Sequence, residues 1–264
     1  MPILYEKADG VATITLSRPE ARNAWGADYT EGLRDLLPEI EEDDEVGCVV
    51  LTGDPAGGAF SAGANLKDPA THAVTDVGDH LRGLARYRRQ LPFETLTDFA
   101  KPVVAAVDGY AVGIGCLVTF CCDLIVASDR AEWRLPQTAL GILPAYGGAP
   151  RVARWVGKGL TARLAYGFPL GAEEAHRIGV AQWLATGGDD FDRTVAEVAG
   201  HLAALPPLAA RLTKESLTSG MNIPNLGDAA LADVYRFMAL SLTEDRAEGH
   251  DAWRERRAPR FTGR

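Results

Sequence analysis

Two short β-rich runs, Ile3–Lys7 and Val11–Leu16, open the chain. Between them Asp9-Gly10 supplies the residue pair that most readily closes a two-residue hairpin. A polar turn, Ser17-Arg18-Pro19-Glu20-Ala21-Arg22-Asn23, then leads into a segment where Leu33, Leu36, Leu37 and Ile40 recur at helical spacing. The acidic run Glu41 to Glu45 closes that helix. Cys48–Thr52 reads as a buried strand entering the loop Gly53 to Gly58, and Val103–Val107 and Asp123–Ser128 read as further strands. Between the latter two lie Asp108-Gly109-Tyr110 and an apolar helix predicted over 114–122. Residues 68–100 are polar and helix-prone, and the basic cluster Arg82, Arg86, Arg88, Arg89 reads as a solvated face. Beyond residue 140 the pattern is mainly helical, broken at Gly157, Gly167 to Gly171 and Gly187-Gly188. Strands alternating with helices early, then helices alone, predict an α/β core followed by a helical section from about residue 200.

Composition narrows the function classes. The chain has 264 residues, 47% hydrophobic and 24% charged, enough for a full core and ordinary for a globular protein. Its formal net charge of -9 argues against a surface made to coat nucleic acid, while leaving room for local basic sites on a phosphate-bearing ligand. Cys48, Cys116, Cys121 and Cys122 all lie in apolar stretches without metal-ligand spacing, so they read as reduced, packed thiols of a cytoplasmic protein, and no metal site is expected. The N-terminus lacks a signal-peptide layout. Asp108 and the glycines at 109, 113 and 115 break the apolar run Val103 to Cys122, so no membrane span is expected.

Two segments share a design suited to chemistry. In Ala59-Phe60-Ser61-Ala62-Gly63-Ala64-Asn65-Leu66-Lys67 small residues crowd a loop just after a strand; in Gly109-Tyr110-Ala111-Val112-Gly113-Ile114-Gly115-Cys116 glycines flank one residue at a helix start. Small residues let a ligand reach the main chain, and a helix start leaves N–H groups unpaired at the positive end of the dipole. Such donors suit an enolate or tetrahedral oxyanion. Either segment alone is better read as tight helix–strand packing. No third glycine completes a dinucleotide fingerprint after Gly113-Ile114-Gly115, and Ser61 lacks the G-x-S-x-G context of a serine hydrolase.

Read in order with their flanks, these segments resemble the crotonase (enoyl-CoA hydratase/isomerase) superfamily along essentially the whole chain. Leu16 to Ala24 is similar to that family's N-terminal CoA-binding turn, Phe60 to Lys67 to its first oxyanion loop, and Lys101-Pro102 through Cys116 to its second. Glu244 to Gly249 and Arg256 to Gly263 resemble its C-terminal signature. The resemblance implies a crotonase-like spiral of ββα turns over 1–199, with a C-terminal helical oligomerisation region over 200–264 that builds a homotrimer or dimer of trimers. It implies that the N–H groups of Ala64 and Ile114 hold the thioester oxygen. Arg22, Ala24, Ala62, Asn65, Leu66 and Lys67 would line the CoA channel. The partner would be an acyl-CoA thioester, with coenzyme A entering as part of the substrate and no permanently bound cofactor.

The same resemblance exposes a departure. Hydratases of that family add water with two glutamates; the positions that match here are Leu117, three residues after Ile114, and Gln137 in Leu135-Pro136-Gln137. Leucine and a carboxamide exchange no proton near neutral pH. A third position, an aspartate in some isomerases and dehalogenases, reads Ala145 in Leu143-Pro144-Ala145-Tyr146. Gln137, Tyr146, Asp68 and His72 are the remaining polar candidates. His80, His176, His201 and His250 stand alone, without ligand spacing. The expectation is an acyl-CoA enzyme with atypical chemistry (decarboxylation, C–C cleavage or hydrolysis), the alternative a non-catalytic acyl-CoA-binding member of the family.

Overall fold

The hairpin forms as its sequence dictates. β1 (Ile3–Ala8) and β2 (Val11–Leu16) pair antiparallel, and Asp9 (φ 49°) and Gly10 (φ 78°) both take the left-handed conformation that a two-residue turn requires. The computed structural model describes residues 2–67, 76, 78 and 92–264. Asp68, His72, His80 and the arginines of 82–89 lie outside the described residues.

After the hairpin come α1 (Ala27–Glu42), β3 (Cys48–Gly53), β4 (Ala59–Ser61), α2 (Pro92–Thr97), β5 (Val103–Val107), β6 (Tyr110–Val112) and α3 (Ile114–Thr119). The chain continues through β7 (Leu124–Ser128), β8 (Glu132–Arg134), α4 (Gly148–Ala165), β9 (Leu170–Gly171), α5 (Ala172–Arg177) and β10 (Trp183–Ala185). Four helices complete it: α6 (Asp189–Ala203), α7 (Pro207–Gly220), α8 (Leu226–Leu240) and α9 (Glu244–Glu255).

The strands sort into two sheets, ordered β1-β2-β3-β5-β7-β10 and β4-β6-β8-β9. From β2 to β10 the first is parallel, and in the second β4, β6 and β8 are parallel while β9 closes antiparallel. Each circuit steps from the first sheet to the second and then into helix: β3-β4-α2, β5-β6-α3, β7-β8-α4. This is the expected ββα spiral. All five residues of β5 are buried because both faces of the sheet are covered. One face meets Leu33, Leu37 and Ile40 of α1 within the main core; the other packs Val50, Val104 and Val126 against Phe191, Val198 and Ala199 of α6.

Two sequence expectations need correction. The helix expected over 114–122 ends at Thr119, and Cys121 and Cys122 form a buried turn entering β7. The mainly helical region after residue 140 also holds two short strands that the sequence pattern did not show, β9 and β10, and Trp183–Ala185 extends the large sheet beside Val126–Ser128. Strands of two or three residues are too short to show a period of two; register with a neighbour makes them strands.

Two of the last three helices are anchored by charged side chains. Lys214 of α7 directs its ammonium to Asp123 (2.8 Å) and to the carbonyls of Leu96 and Lys101 (3.2 Å each). Burial raises the Asp123 carboxyl above the ordinary aspartate range, with Lys214 opposing that rise. On α9, Asp245 accepts hydrogen bonds from the Thr262 and Gly263 amides, while Glu248 binds Arg257 and the Arg260 amide. Those partners pull the Glu248 carboxyl down to about 2. The paired acids and arginines of the C-terminal signature thus fasten the chain end onto α9. α8 instead leaves Leu231, Val234, Tyr235 and Met238 exposed, and Leu242 beyond it is 89% exposed.

Candidate active site

The site begins with three segments far apart in sequence. Asn23, fully buried with a left-handed backbone (φ 56°), accepts from the Arg18 amide through Oδ1 and donates through Nδ2 to the carbonyls of Asp54 and Ala59. The Ser61 hydroxyl donates to the Asn23 carbonyl (2.8 Å), so it serves packing and is sealed from solvent. Main-chain bonds then tie 22–25 to 62–65: Ala62 N–H to the Arg22 carbonyl (2.9 Å), Trp25 N–H to Gly63 (2.7 Å), and Asn65 N–H to Trp25 (2.9 Å). The parallel bridge pairs Trp25 with Ala64. In this pattern the amides of Ala62, Gly63 and Asn65 are spoken for, but the Ala64 N–H has no acceptor among the described residues.

The second turn faces the first. Gly113 lies at the N-terminal boundary of α3 with φ 55°, and its own amide donates to the Arg134 carbonyl (2.8 Å). Ile114 is the first residue of α3, so its N–H is one of the helix's unpaired donors. Glycine is required for this approach. A Cβ on Gly63 would stand 2.8 Å from the Val112 carbonyl oxygen, and one on Gly115 would stand 2.6 Å from the Ser61 Cβ. One on Gly109 would meet the Gly58 carbonyl oxygen at 2.8 Å. The two turns are thereby pressed together, and each carries an unpaired amide, Ala64 and Ile114, free to donate to a ligand.

The residues expected around the CoA channel gather at the same place. Arg22 adopts a left-handed backbone (φ 52°) and is exposed, as are Leu66 and Lys67; Ala62 and Asn65 are half-buried. Ala24 is buried, and its carbonyl accepts from the Arg18 guanidinium, which also pairs with Asp28. Sequence reasoning passed over Asn23 and Trp25, whose work is main-chain and carboxamide bonding across about 40 residues of separation and leaves no local pattern.

Around the turns the candidate side chains among the described residues include few proton carriers. Leu117, one helical turn beyond Ile114, is buried in the main core, and a Cβ on Gly148 would meet both its methyl groups at 3.0 Å. Gln137 opens a short 3-10 turn, Pro136–Leu140, after β8. Its Nε2 lies 3.5 Å from where a Gly113 Cβ would be, while its Oε1 is buried without a hydrogen-bond partner. Ala145 is exposed. Tyr146 is half-buried in the left-handed region (φ 58°) and stacks on Phe93 at 5.5 Å between centroids; Phe93 in turn stacks on Trp25 at 6.0 Å. His176 bonds the Ala181 carbonyl (3.0 Å) and His250 lies beside Trp253, both remote in sequence from the turns. Among the described residues no cluster of His, Cys, Asp and Glu fits a metal ion. The four thiols are buried, and burial raises the pKa of each. No described helix is long and apolar enough to cross a membrane. A cavity of about 850 Å³ opens beside Phe120, Asp123, Arg151 and Lys214, but neither Ala64 nor Ile114 lines it.

Comparison with known proteins shows what the chain as a whole is similar to. A family model described as enoyl-CoA hydratase/isomerase matches residues 6–264. The 2,3-dehydroadipyl-CoA hydratase of Escherichia coli K12 is 33% identical over 264 residues, covering 99% of each chain. The short-chain-enoyl-CoA hydratase of Clostridium acetobutylicum is 33% identical over 258 residues, covering 97% of this chain and 95% of its own. Among solved structures, the enoyl-CoA hydratase of Bacillus anthracis superposes with a TM-score of 0.90 at 29% identity, covering both chains completely.

Proposed function

The chain belongs to the enoyl-CoA hydratase/isomerase family, and on that premise we propose that it processes an acyl-CoA by enolate chemistry, without the two-carboxylate hydration of its relatives. The observation that carries this reading is the mismatch inside one site. Two unpaired amides, Ala64 and Ile114, are held together by glycine contacts, while the two positions expected to move protons hold a packed leucine and a carboxamide. Hydrogen-bond donors fixed in place stabilise charge that develops on a thioester oxygen. When the bond from Cα to a β-carboxylate or β-carbonyl carbon breaks, its electron pair passes into the enolate, and solvent can return the proton to Cα. For cleavage of a β-carbonyl compound, water adds to the β-carbon and releases a proton to solvent before that bond breaks. Decarboxylation, C–C cleavage and hydrolysis of this kind ask most of the oxyanion site and least of a general base.

Arg22, Ala24, Ala62, Asn65, Leu66 and Lys67 would hold the coenzyme A portion, which enters with the substrate, in a cytoplasmic enzyme. A turnover screen of enoyl-, malonyl- and β-ketoacyl-CoAs tests the proposal. Release of carbon dioxide, acetyl-CoA or free acid from a β-oxygenated substrate is the expected result. CoA-ester binding without turnover of any of them would instead identify a non-catalytic acyl-CoA-binding protein.

The exposed apolar face of α8 further supports a homotrimer or a dimer of trimers, since closed symmetry buries such a face. Light scattering at micromolar concentration should give three or six times the 28.2 kDa chain mass. A monomer mass would overturn this assembly.

A further inference from the structure

We propose that Gln137 selects the substrate, by donating a hydrogen bond from its carboxamide to an oxygen on the β-carbon of the acyl chain. The inference rests on the acyl-CoA reading above and adds to it the substrate class: β-oxo or β-carboxy thioesters, in preference to plain alkyl or enoyl ones.

The carboxamide's surroundings are the argument. A buried glutamine serving the fold has its oxygen and nitrogen bonded to neighbours, because an unpaired buried polar atom costs stability. Gln137 is half-buried and does not fit that description: Oε1 is shut off from solvent and bonded to nothing, while Nε2 is not sealed in the same way and faces Gly113. Its main chain is well used, with the carbonyl accepting from Ile142 and capping the 3-10 turn at Gly141, so the turn is held without the side chain. Leucine or methionine would fill the same volume without the orphaned oxygen. A polar side chain that weakens its own fold is the pattern expected of a group kept for a ligand.

The position identifies that ligand's chemistry. Nε2 stands over Gly113, at 3.5 Å from the place a side chain there would start, and the next residue carries the Ile114 amide. A donor immediately beside the oxyanion turn reaches the carbons next to the thioester carbonyl, not the nucleotide end of coenzyme A. An amide nitrogen donates and does not accept, so it matches a ketone or carboxylate oxygen and gains nothing from a methylene or a carbon–carbon double bond. Sites that bond a substrate oxygen also discriminate strongly against analogues lacking it, since the site's own polar group is then left unpaired.

Calorimetric titration of wild type and Gln137→Leu with butyryl-CoA, acetoacetyl-CoA and malonyl-CoA tests this. Wild type should bind acetoacetyl-CoA or malonyl-CoA about tenfold or more tighter than butyryl-CoA, the size of one well-made hydrogen bond. The two β-oxygen probes separate a neutral ketone from a carboxylate as the better fit. In Gln137→Leu that preference should disappear while butyryl-CoA affinity stays the same, and the thermal midpoint should hold or rise. If Gln137→Leu does not fold, Gln137→Met carries the same test. A preference that survives in the folded variant, or none in wild type, would overturn the inference while leaving the acyl-CoA reading standing. If wild type binds none of the three esters, both fail together.

Discussion

The two glycine turns and the side chains around them are built in different ways. The turns at 62–65 and 109–115 are made of main chain, bonded to main chain, and pressed together wherever a glycine removes a side chain. Leu117, Gln137 and Tyr146 stand on three separate segments and meet different neighbours: Leu117 fits Gly148, Gln137 overhangs Gly113, and Tyr146 stacks on Phe93. The first arrangement changes only if several segments change together. The second changes one side chain at a time. A family that keeps its thioester grip while altering the reaction would differ in the second set, where the resemblance matches Leu117 and Gln137 to glutamates.

The largest expected effect tests that division directly. Crotonyl-CoA hydration by the wild type should be slower than a two-glutamate hydratase by about 10⁴-fold or more, since each acid–base group typically contributes about 10²–10⁴-fold. Leu117→Glu combined with Gln137→Glu should raise the rate, although two nearby carboxylates, one of them against Pro144 and Gly148, will raise each other's pKa. Stopped assays of water addition measure both. Ordinary hydratase rates in the wild type would mean that another residue transfers the proton, and the contrast between the two halves would collapse.

Ile114→Pro attacks the other half. Proline is well accepted at the first position of a helix, yet it deletes the donor there, so turnover should fall about 10²–10³-fold with coenzyme A affinity largely kept. Because Ile114 also packs on the core, Ile114→Ala is the control: it trims the side chain and keeps the N–H, and should retain most activity. Equal losses in both variants would assign Ile114 to packing alone.

A smaller effect separates glycines that join the turns from glycines that do not. Gly115→Ala forces a methyl to 2.6 Å from Ser61 and should cost about 1–3 kcal/mol, with a loss of turnover as the two donors part. Gly159→Ala, inside α4 with open space around it, should instead stabilise by about 0.5–1 kcal/mol and leave turnover alone. Urea unfolding distinguishes them; like behaviour of the two would remove the case that close approach, and not helix propensity, placed Gly115.

How much of this was readable in advance depended on whether the signal was local. Asp9-Gly10 and the Leu33, Leu37, Ile40 stripe carry their geometry in neighbouring residues, and both formed as expected. The glycine turns were legible as unusual, but each alone fitted simple packing; only the contacts between Gly63, Val112, Ser61 and Gly115 join them. Asn23 and Trp25 could not be found, because a buried carboxamide bonding Asp54 and Ala59, or a strand bridge to Ala64, is written in tertiary position. β10 was missed for a similar reason: three residues become a strand only beside β7. Gln137 was flagged by its place after Pro136, yet its missing hydrogen bonds belong to the folded chain.

The last prediction asks whether Leu117 fits its place or merely occupies it. A Cβ on Gly148 would lie 3.0 Å from both Leu117 methyls and 2.9 Å from the Pro144 Cβ, so Gly148→Ala overpacks and should cost about 1–3 kcal/mol. Leu117→Ala removes a buried side chain from the core and should cost about 2–5 kcal/mol. In the double variant the added methyl faces the space that the leucine vacated. Its crowding is relieved and part of the void is filled, so the two costs should fall short of additive by about 0.5–3 kcal/mol, as for residues in contact. Urea unfolding of the four proteins gives the coupling directly. Because neither change touches the Ala64 or Ile114 amide, acyl-CoA affinity should stay near wild type throughout. Strict additivity would mean that Leu117 does not seal the space against α4. A proton carrier or a water could then reach the reacting carbons from that side, and the side-chain half would be less apolar than its residues suggest.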